Sequence, residues 1–410
     1  MERTFEFYGS MPRNVLNSYL SRAVTHFGIG YDNLATSRTV EDDLRMLKRE
    51  GAKFIGRAAL IWSQSQPIEE HFRHCKARAE LAHEVDPEFI LQACVFECIG
   101  KEQVESVPVP AYVFEAFGLE PKIRNFNYNA MLFPDGTWIN HWGKDASVED
   151  ITQLESRMWI YYLATAYIDA GYEGIHFGQV CLIGRDDPDY RYWREVILKI
   201  REYALANGRR RYVLFDAHTL GDLRQNEELF DYNAFPIRLK DVMEGPQYEC
   251  VCEEGYLDSM FNPKDGLCRP FIVEFDNWGK RAPEELGKPH EDDFHAWGYD
   301  EITWFTKLSP ERRDRFLRYI WDWVNARYPE GWVQMPSRRC LMDKVDFVWE
   351  NPDVSWLEAN AGDEFFTYTL DDAGTAHITR RYYSANTPSD ACPFGMGDED
   401  TITDIFHQEI

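Results

Sequence analysis

Eight short apolar runs, most of them followed by a helix-like stretch, most limit what this chain can fold into. They lie at residues 21–30, 53–62, 89–99, 172–184, 211–219, 231–239, 270–279 and 331–340. Between them stand amphipathic segments such as TVEDDLRMLKREGA, which closes at Gly51, and IEEHFRHCKARAELAHEV. A strand apolar on both faces must be covered on both, and a chain that alternates strand with helix covers it with the helices of parallel crossovers. The count of eight favours closure into an α/β fold of the (β/α)8 TIM-barrel type over an open doubly wound sheet. No G-x-G-x-x-G follows the first run and no G-x-x-x-x-G-K-[ST] occurs, so the nucleotide-binding open sheets lack their sequence marks. The sixth run is the poorest strand because Pro236 interrupts it.

Two departures from the alternation stand out. A long loop after the third strand, from residue 100 to about 146, contains PVPAYVFEAFGLEP and LFPDGTWINHWGKD. The segment SVEDITQLESRMWIYYLATAYIDAG then reads as a helix with Ser147 at its N-cap and Gly171 at its end. Beyond residue 345, EFFTYTLDDAGTAHITRRYY alternates around Asp372 and Gly374 like a β-hairpin, and DEDTITDIFHQEI is helix-prone. The expected division is a barrel over 1–345 that is catalytic or sugar-binding, and a C-terminal extension over 346–410 packed on it.

Charge narrows the partners. The chain has 70 Asp plus Glu against 44 Lys plus Arg, a formal charge of -26. Such a surface repels phosphate backbones and anionic lipid, so neither nucleic acid nor membrane is expected as a partner. A neutral or cationic ligand fits better, a small-molecule carbohydrate being the expected one, and association with further copies of the chain is allowed. No run approaches the roughly 20 apolar residues of a membrane span, and the start, MERTFEFYGSMPRN, lacks a basic segment followed by an apolar one. A cytoplasmic location is the expectation. The nine cysteines read as reduced thiols, several of them in the core, with a C-x-C at Cys250 and Cys252 that lacks a second ligand pair.

In a TIM barrel the chemistry sits at the C-terminal ends of the strands. The ends carry His26, Arg57, Glu97, His176 with Gln179, Asp216 with His218, Arg238, and the acids of PFIVEFDNWG, where Glu274 and Asp276 precede Asn277 and Trp278. Residues two apart in a strand share a face, so Glu274 and Asp276 point the same way. Unpaired buried carboxylates are costly, and four near one axis are better explained by a shared polar cavity than by stability. Glycoside hydrolysis needs two carboxyl groups flanking the scissile bond. Glu97 and Glu274, on strands expected to face each other, form the expected pair, with Asp216 as an alternate acid. Asp276, Asn277, Trp278, His176, Gln179, His218, Arg57, Arg238, His26 and Trp142 are the expected substrate-binding residues. Trp138, Trp142, Trp278, Trp297 and Trp304 concentrate in segments expected at the mouth, where aromatic faces can stack on sugar rings. No metal and no cofactor is expected: FDAH lacks a companion H-x-H or H-E-x-x-H. The competing readings are a metal-assisted hydrolase or lyase using His176, Asp216 and His218, and a carbohydrate-binding barrel without turnover.

IVEFDNWG resembles the strand-seven nucleophile segment of retaining (β/α)8 glycoside hydrolases, a resemblance that implies Glu274 as nucleophile. The stretches DDLRMLKREGAKFIGRA, YEGIHFGQV, FDAHT and VEFDNWG also resemble an uncharacterised, glycoside-hydrolase-like family of bacterial TIM-barrel proteins, over most of residues 10 to 345. One departure matters. The larger glycosidase clan ends strand four in Asn-Glu, whereas this chain has HFGQV, with Glu173 at the opposite end of the run. Glu97 and Asp216 are the candidates for a relocated acid.

Overall fold

The structure is a computed structural model that describes residues 3–27, 29, 39–62, 67–218, 229–237, 239–244, 247–253, 270–276, 301–361 and 366–408. Along the chain, α1 (Arg13–Leu20) leads to β1 (Ala23–His26), α2 (Val40–Glu50) to β2 (Phe54–Ile61), and α3 (Ile68–Val85) to β3 (Ile90–Val95). The long insertion then forms β4 (Ile99–Gly100), α4 (Lys101–Ser106), α5 (Ala111–Ala116) and β5 (Ala146–Ser147). It is followed by α6 (Leu154–Asp169), β6 (Gly174–Gln179), the single turn α7 (Val180–Ile183), α8 (Arg191–Asn207) and β7 (Leu214–His218). The next strands are β8 (Asn233–Pro236), β9 (Lys240–Glu244), β10 (Gln247–Val251) and β11 (Phe271–Glu274). The chain continues through α9 (Glu301–Thr306), α10 (Pro310–Arg327), β12 (Gly331–Trp349) and α11 (Val354–Asn360). It closes with β13 (Phe366–Leu370), β14 (Ala376–Ser384) and α12 (Glu399–His407).

Among the described residues, eight parallel strands with flanking helices make this an α/β TIM-barrel fold. The contacts divide into two compact units. The first holds the N-terminal segment to Tyr19 and Lys53–Ala234, the second holds β1, α2 and the chain from Phe235 onward.

In the first unit β2, β3, β6 and β7 run parallel in that order. All six residues of β3, ILQACV, are buried, as a strand covered on both faces requires. Helix α6 is apolar nearly all round because α3, α5 and α8 all pack on it. It starts later than the sequence suggests. Ser147 is a residue of β5, its hydroxyl bonded to the Tyr128 hydroxyl at 2.5 Å and accepting from the Asn140 N–H at 2.8 Å, and the helix begins at Leu154. A side chain engaged in the insertion cannot cap a helix, and the N-cap falls on Gln153, six residues beyond the expected Ser147.

In the second unit β1 and β11 both pair parallel with β12 (Val24 with Met335, Glu274 with Gln334). Strand β12 runs on to Trp349, so the boundary expected at 345 falls inside it, and its far half pairs antiparallel with β14. β13 and β14 form the expected hairpin, with Gly374 at φ 79° in the left-handed region that its turn needs and the Asp371 carboxylate accepting from the Ala373 and Thr375 N–H groups. Leu357, Phe366, Ala376, Ile378 and Tyr382 form its small core. Helix α12 packs on α2 and α10, where Glu399 receives both guanidinium ends of Arg45 and one of Arg49. The antiparallel pair β9 and β10 was not foreseen. Seven described cysteines form no disulfide.

Candidate active site

The strand ends of the first unit bring together Arg57, Glu97, His176, Gln179, Asp216, His218 and Trp142. The parallel register is the cause: His176 stands beside Asp216 and Gln179 beside His218, so two neighbouring strands deliver four polar side chains at one level.

Glu97 follows the end of β3 and is 4% exposed. Its two oxygens accept from the Gln179 backbone N–H at 2.9 Å and the Gln179 side-chain amide at 2.8 Å. Its own carbonyl accepts from the Trp142 indole N–H at 2.7 Å, which fastens the insertion to the strand end. Gly178, at φ 58°, makes the close approach feasible, since a methyl group there would overlap Glu97 Oε2.

His176 and Asp216 form a second cluster. His176 Nδ1 lies 2.7 Å from Asp216 Oδ2, while Asp216 Oδ1 accepts from the Gln92 amide at 2.7 Å and the Tyr232 hydroxyl at 3.0 Å. Asp216 is thus saturated with donors and fully buried. Burial holds the His176 ring below the usual imidazole range even against the pull of Asp216. A neutral ring whose Nδ1–H faces a carboxylate carries its lone pair on Nε2, and that atom is buried without a hydrogen-bond partner. The His218 ring sits 4.9 Å from that of His176, with an Arg57 Nη atom 3.5 Å from His218 Nε2. Arg57 itself is strained: at φ 53° it forms a bulge in β2, its backbone N–H turned to Gln92 Oε1.

Partly exposed rings line this cluster. Trp142 meets Trp62 at 5.0 Å, Trp62 meets Phe96 at 5.5 Å, and Phe96 meets His176 at 5.7 Å with Arg57 over its face. Trp138 continues the row through His141, whose ring lies 6.5 Å from that of Trp138 and 4.4 Å from that of Trp142. Trp304 is buried in α9 against Phe316, because every residue of α9 is covered. Trp138 packs on Phe133 and under Arg185.

The remaining expected residues belong to the second unit. Glu274 ends β11, and Arg339 lies between it and Asp276, with Nη1 3.8 Å from Glu274 and Nη2 3.7 Å from Asp276. Arg339 also donates to the Phe275 carbonyl, and the Asp276 N–H donates to Glu301. The two acids share one face, as period two demands. His26 is fully buried, its Nε2 3.7 Å from Asp43 Oδ2. Burial disfavours the charged form of Asp43, yet the guanidinium of Arg338 and the ring of His26 hold its carboxyl well below the usual range. His26 therefore serves a buried ionic cluster on α2. Arg238, Asn277, Trp278 and Trp297 lie outside the described residues. Glu173, before β6, is held by Arg209 and Arg210 at 2.6 and 2.8 Å and acts as a buried strut. Among the described residues no group of three or more His, Cys, Asp and Glu is arranged to hold a metal ion.

Gln92 and Tyr232, which donate to Asp216, and the buried Glu149 were not among the expected residues. The first two are polar residues within apolar runs, a signal available in the sequence. Glu149 was read as part of a helix start.

No protein-family model and no curated protein matches the chain. Among solved structures it is similar to the glycoside hydrolase domain of PelA from Pseudomonas aeruginosa, at 10% identity and TM-score 0.37 over 77% of this chain and 94% of that one. It is also similar to an alpha-amylase from Lactobacillus plantarum, at 12% identity and TM-score 0.35 over 53% of each chain. A Flavobacterium johnsoniae GH31 dextranase complexed with glucose matches at 9% identity and TM-score 0.32, over 55% of this chain and 28% of that one. All three are distant likenesses, and the chemistry of the site rests on its own geometry. No helix of the described residues is long and apolar enough to cross a membrane.

Proposed function

We propose that the chain is a glycoside-hydrolase-like enzyme acting on a small carbohydrate, with Glu97 as the reacting carboxylate. The observation that carries this reading is Glu97 itself, a buried strand-end acid whose two oxygens are held as acceptors by Gln179 while the rings of Trp142, Trp62 and Phe96 lie alongside. Apolar ring faces take the C–H face of a sugar, and amide, imidazole and guanidinium groups take its hydroxyls. His176 Nε2 and Gln179 Oε1, both buried acceptors without partners, suit hydroxyl donors. Arg57 and His218 supply donors at the same level. Asp216, saturated by three donors, is a positioning residue that orients His176. The strand-four position filled by Gln179 supports one further reading, a barrel that binds carbohydrate without cleaving it.

The experiment is reducing-sugar release from a panel of oligosaccharides and aryl glycosides, paired with calorimetric binding. Glu97→Gln keeps the side-chain volume and is expected to lower turnover at least ~1000-fold with binding retained within about tenfold. Binding by the wild type without release of sugar selects the binding protein, and neither binding nor release rejects a carbohydrate role.

A further inference from the structure

We infer that Glu149 is the proton donor that works with Glu97, an inference that rests on the glycosidase reading above. Its placement follows from the backbone. β4 and β5 pair antiparallel, with Ile99 opposite Ser147 and Gly100 opposite Ala146. Two residues back from Ile99 is Glu97, and two forward from Ser147 is Glu149. Each acid thus lies two residues from the Ile99–Ser147 pair, which brings the two segments side by side.

The side chain supplies a second observation. Glu149 is 1% exposed, and its Oε2 has no hydrogen-bond partner. A buried carboxylate with a bare oxygen is costly, whereas a protonated carboxyl is much less so. Burial pushes the Glu149 carboxyl up to about 8, and the negative charge of Glu97 adds to the rise. Glu97, by contrast, has both oxygens occupied as acceptors. One acid holds a proton at neutral pH and its neighbour accepts, the division of labour that cleavage of a glycosidic bond requires.

In the reaction the Glu149 O–H gives its proton to the glycosidic oxygen as the bond from that oxygen to the anomeric carbon breaks, and the leaving sugar departs as a neutral alcohol. Glu97 either bonds to the anomeric carbon, to be displaced by water, or takes a proton from the water that attacks. In the first case Glu149 regains its proton from the incoming water. In the second Glu97 passes its proton to solvent and Glu149 is reprotonated from solvent. Either way the sum is the addition of one water.

The test compares leaving groups. Wild type and Glu149→Gln are assayed on two glycosides of one sugar, a dinitrophenyl glycoside whose leaving group needs no proton and an alkyl or sugar glycoside whose leaving group does. The expected result, read as kcat/KM because that ratio reports departure of the leaving group, is a loss of at least ~1000-fold on the second and less than about tenfold on the first. Glu149→Asp, which keeps the proton and shortens the reach, serves as the second variant and should show the same split with smaller losses. Equal losses on both substrates in a folded variant, or no loss on either, overturns the role of Glu149 alone. A wild type that cleaves neither glycoside across a panel of sugars overturns the glycosidase reading and this inference with it.

Discussion

His176 Nδ1 and Asp216 Oδ2 lie 2.7 Å apart between neighbouring parallel strands, and the other Asp216 oxygen is already taken by Gln92 and Tyr232. Asp216 therefore decides which imidazole nitrogen carries the proton. Asp216→Asn must turn an NH2 group toward at least one existing donor. It should cost roughly 2–4 kcal/mol in denaturant unfolding and move the His176 proton from Nδ1 to Nε2, as read from imidazole 15N shifts. A stability change below about 0.5 kcal/mol with the tautomer unchanged would show that Asp216 does not orient the ring.

Glu149 makes stability depend on pH in a fixed direction. Its folded pKa, about 8, lies above the ordinary carboxyl value of 4.5, so the unfolded chain loses this proton first. The associated stability is fully present below about 4.5 and is lost as pH rises toward 8, on the order of 3 kcal/mol by pH 7. Glu149→Gln cannot ionise. Its stability relative to wild type should therefore grow by about that amount between pH 4.5 and 7, measured by unfolding at each pH. A gap that stays constant would mean that Glu149 titrates alike in both states.

Arg339 is buried between Glu274 and Asp276 at distances beyond hydrogen-bond length. Removing either charge leaves the guanidinium with half of its compensation. Glu274→Gln and Asp276→Asn are each expected to cost about 1–3 kcal/mol, with the double variant departing from additivity because both act on one partner. Should Glu274→Gln lose turnover by orders of magnitude at unchanged stability, Glu274 would take the nucleophile's role.

Much of the fold and part of the site were legible along the chain. The alternation of apolar runs with amphipathic segments determined the parallel strands and their helices, because a strand apolar on both faces has few ways to be covered. Period two put Glu274 and Asp276 on one face, and the strand-end rule picked out Glu97, His176, Gln179, Asp216 and His218. Those are local facts, set by the direction in which each backbone turns its side chains. Partners were not local. Arg339 beside Glu274, Gln92 and Tyr232 on Asp216, Asp43 beside His26, and the segment of Glu149 beside that of Glu97 each join separate parts of the chain, through strand pairing and shared burial. The sequence by itself determined which acids stand at strand ends. Only the tertiary structure decided which of them is paired and which is saturated, and that Glu149, away from the strand ends, is buried with an oxygen left unbonded, because these follow from the neighbours that packing creates.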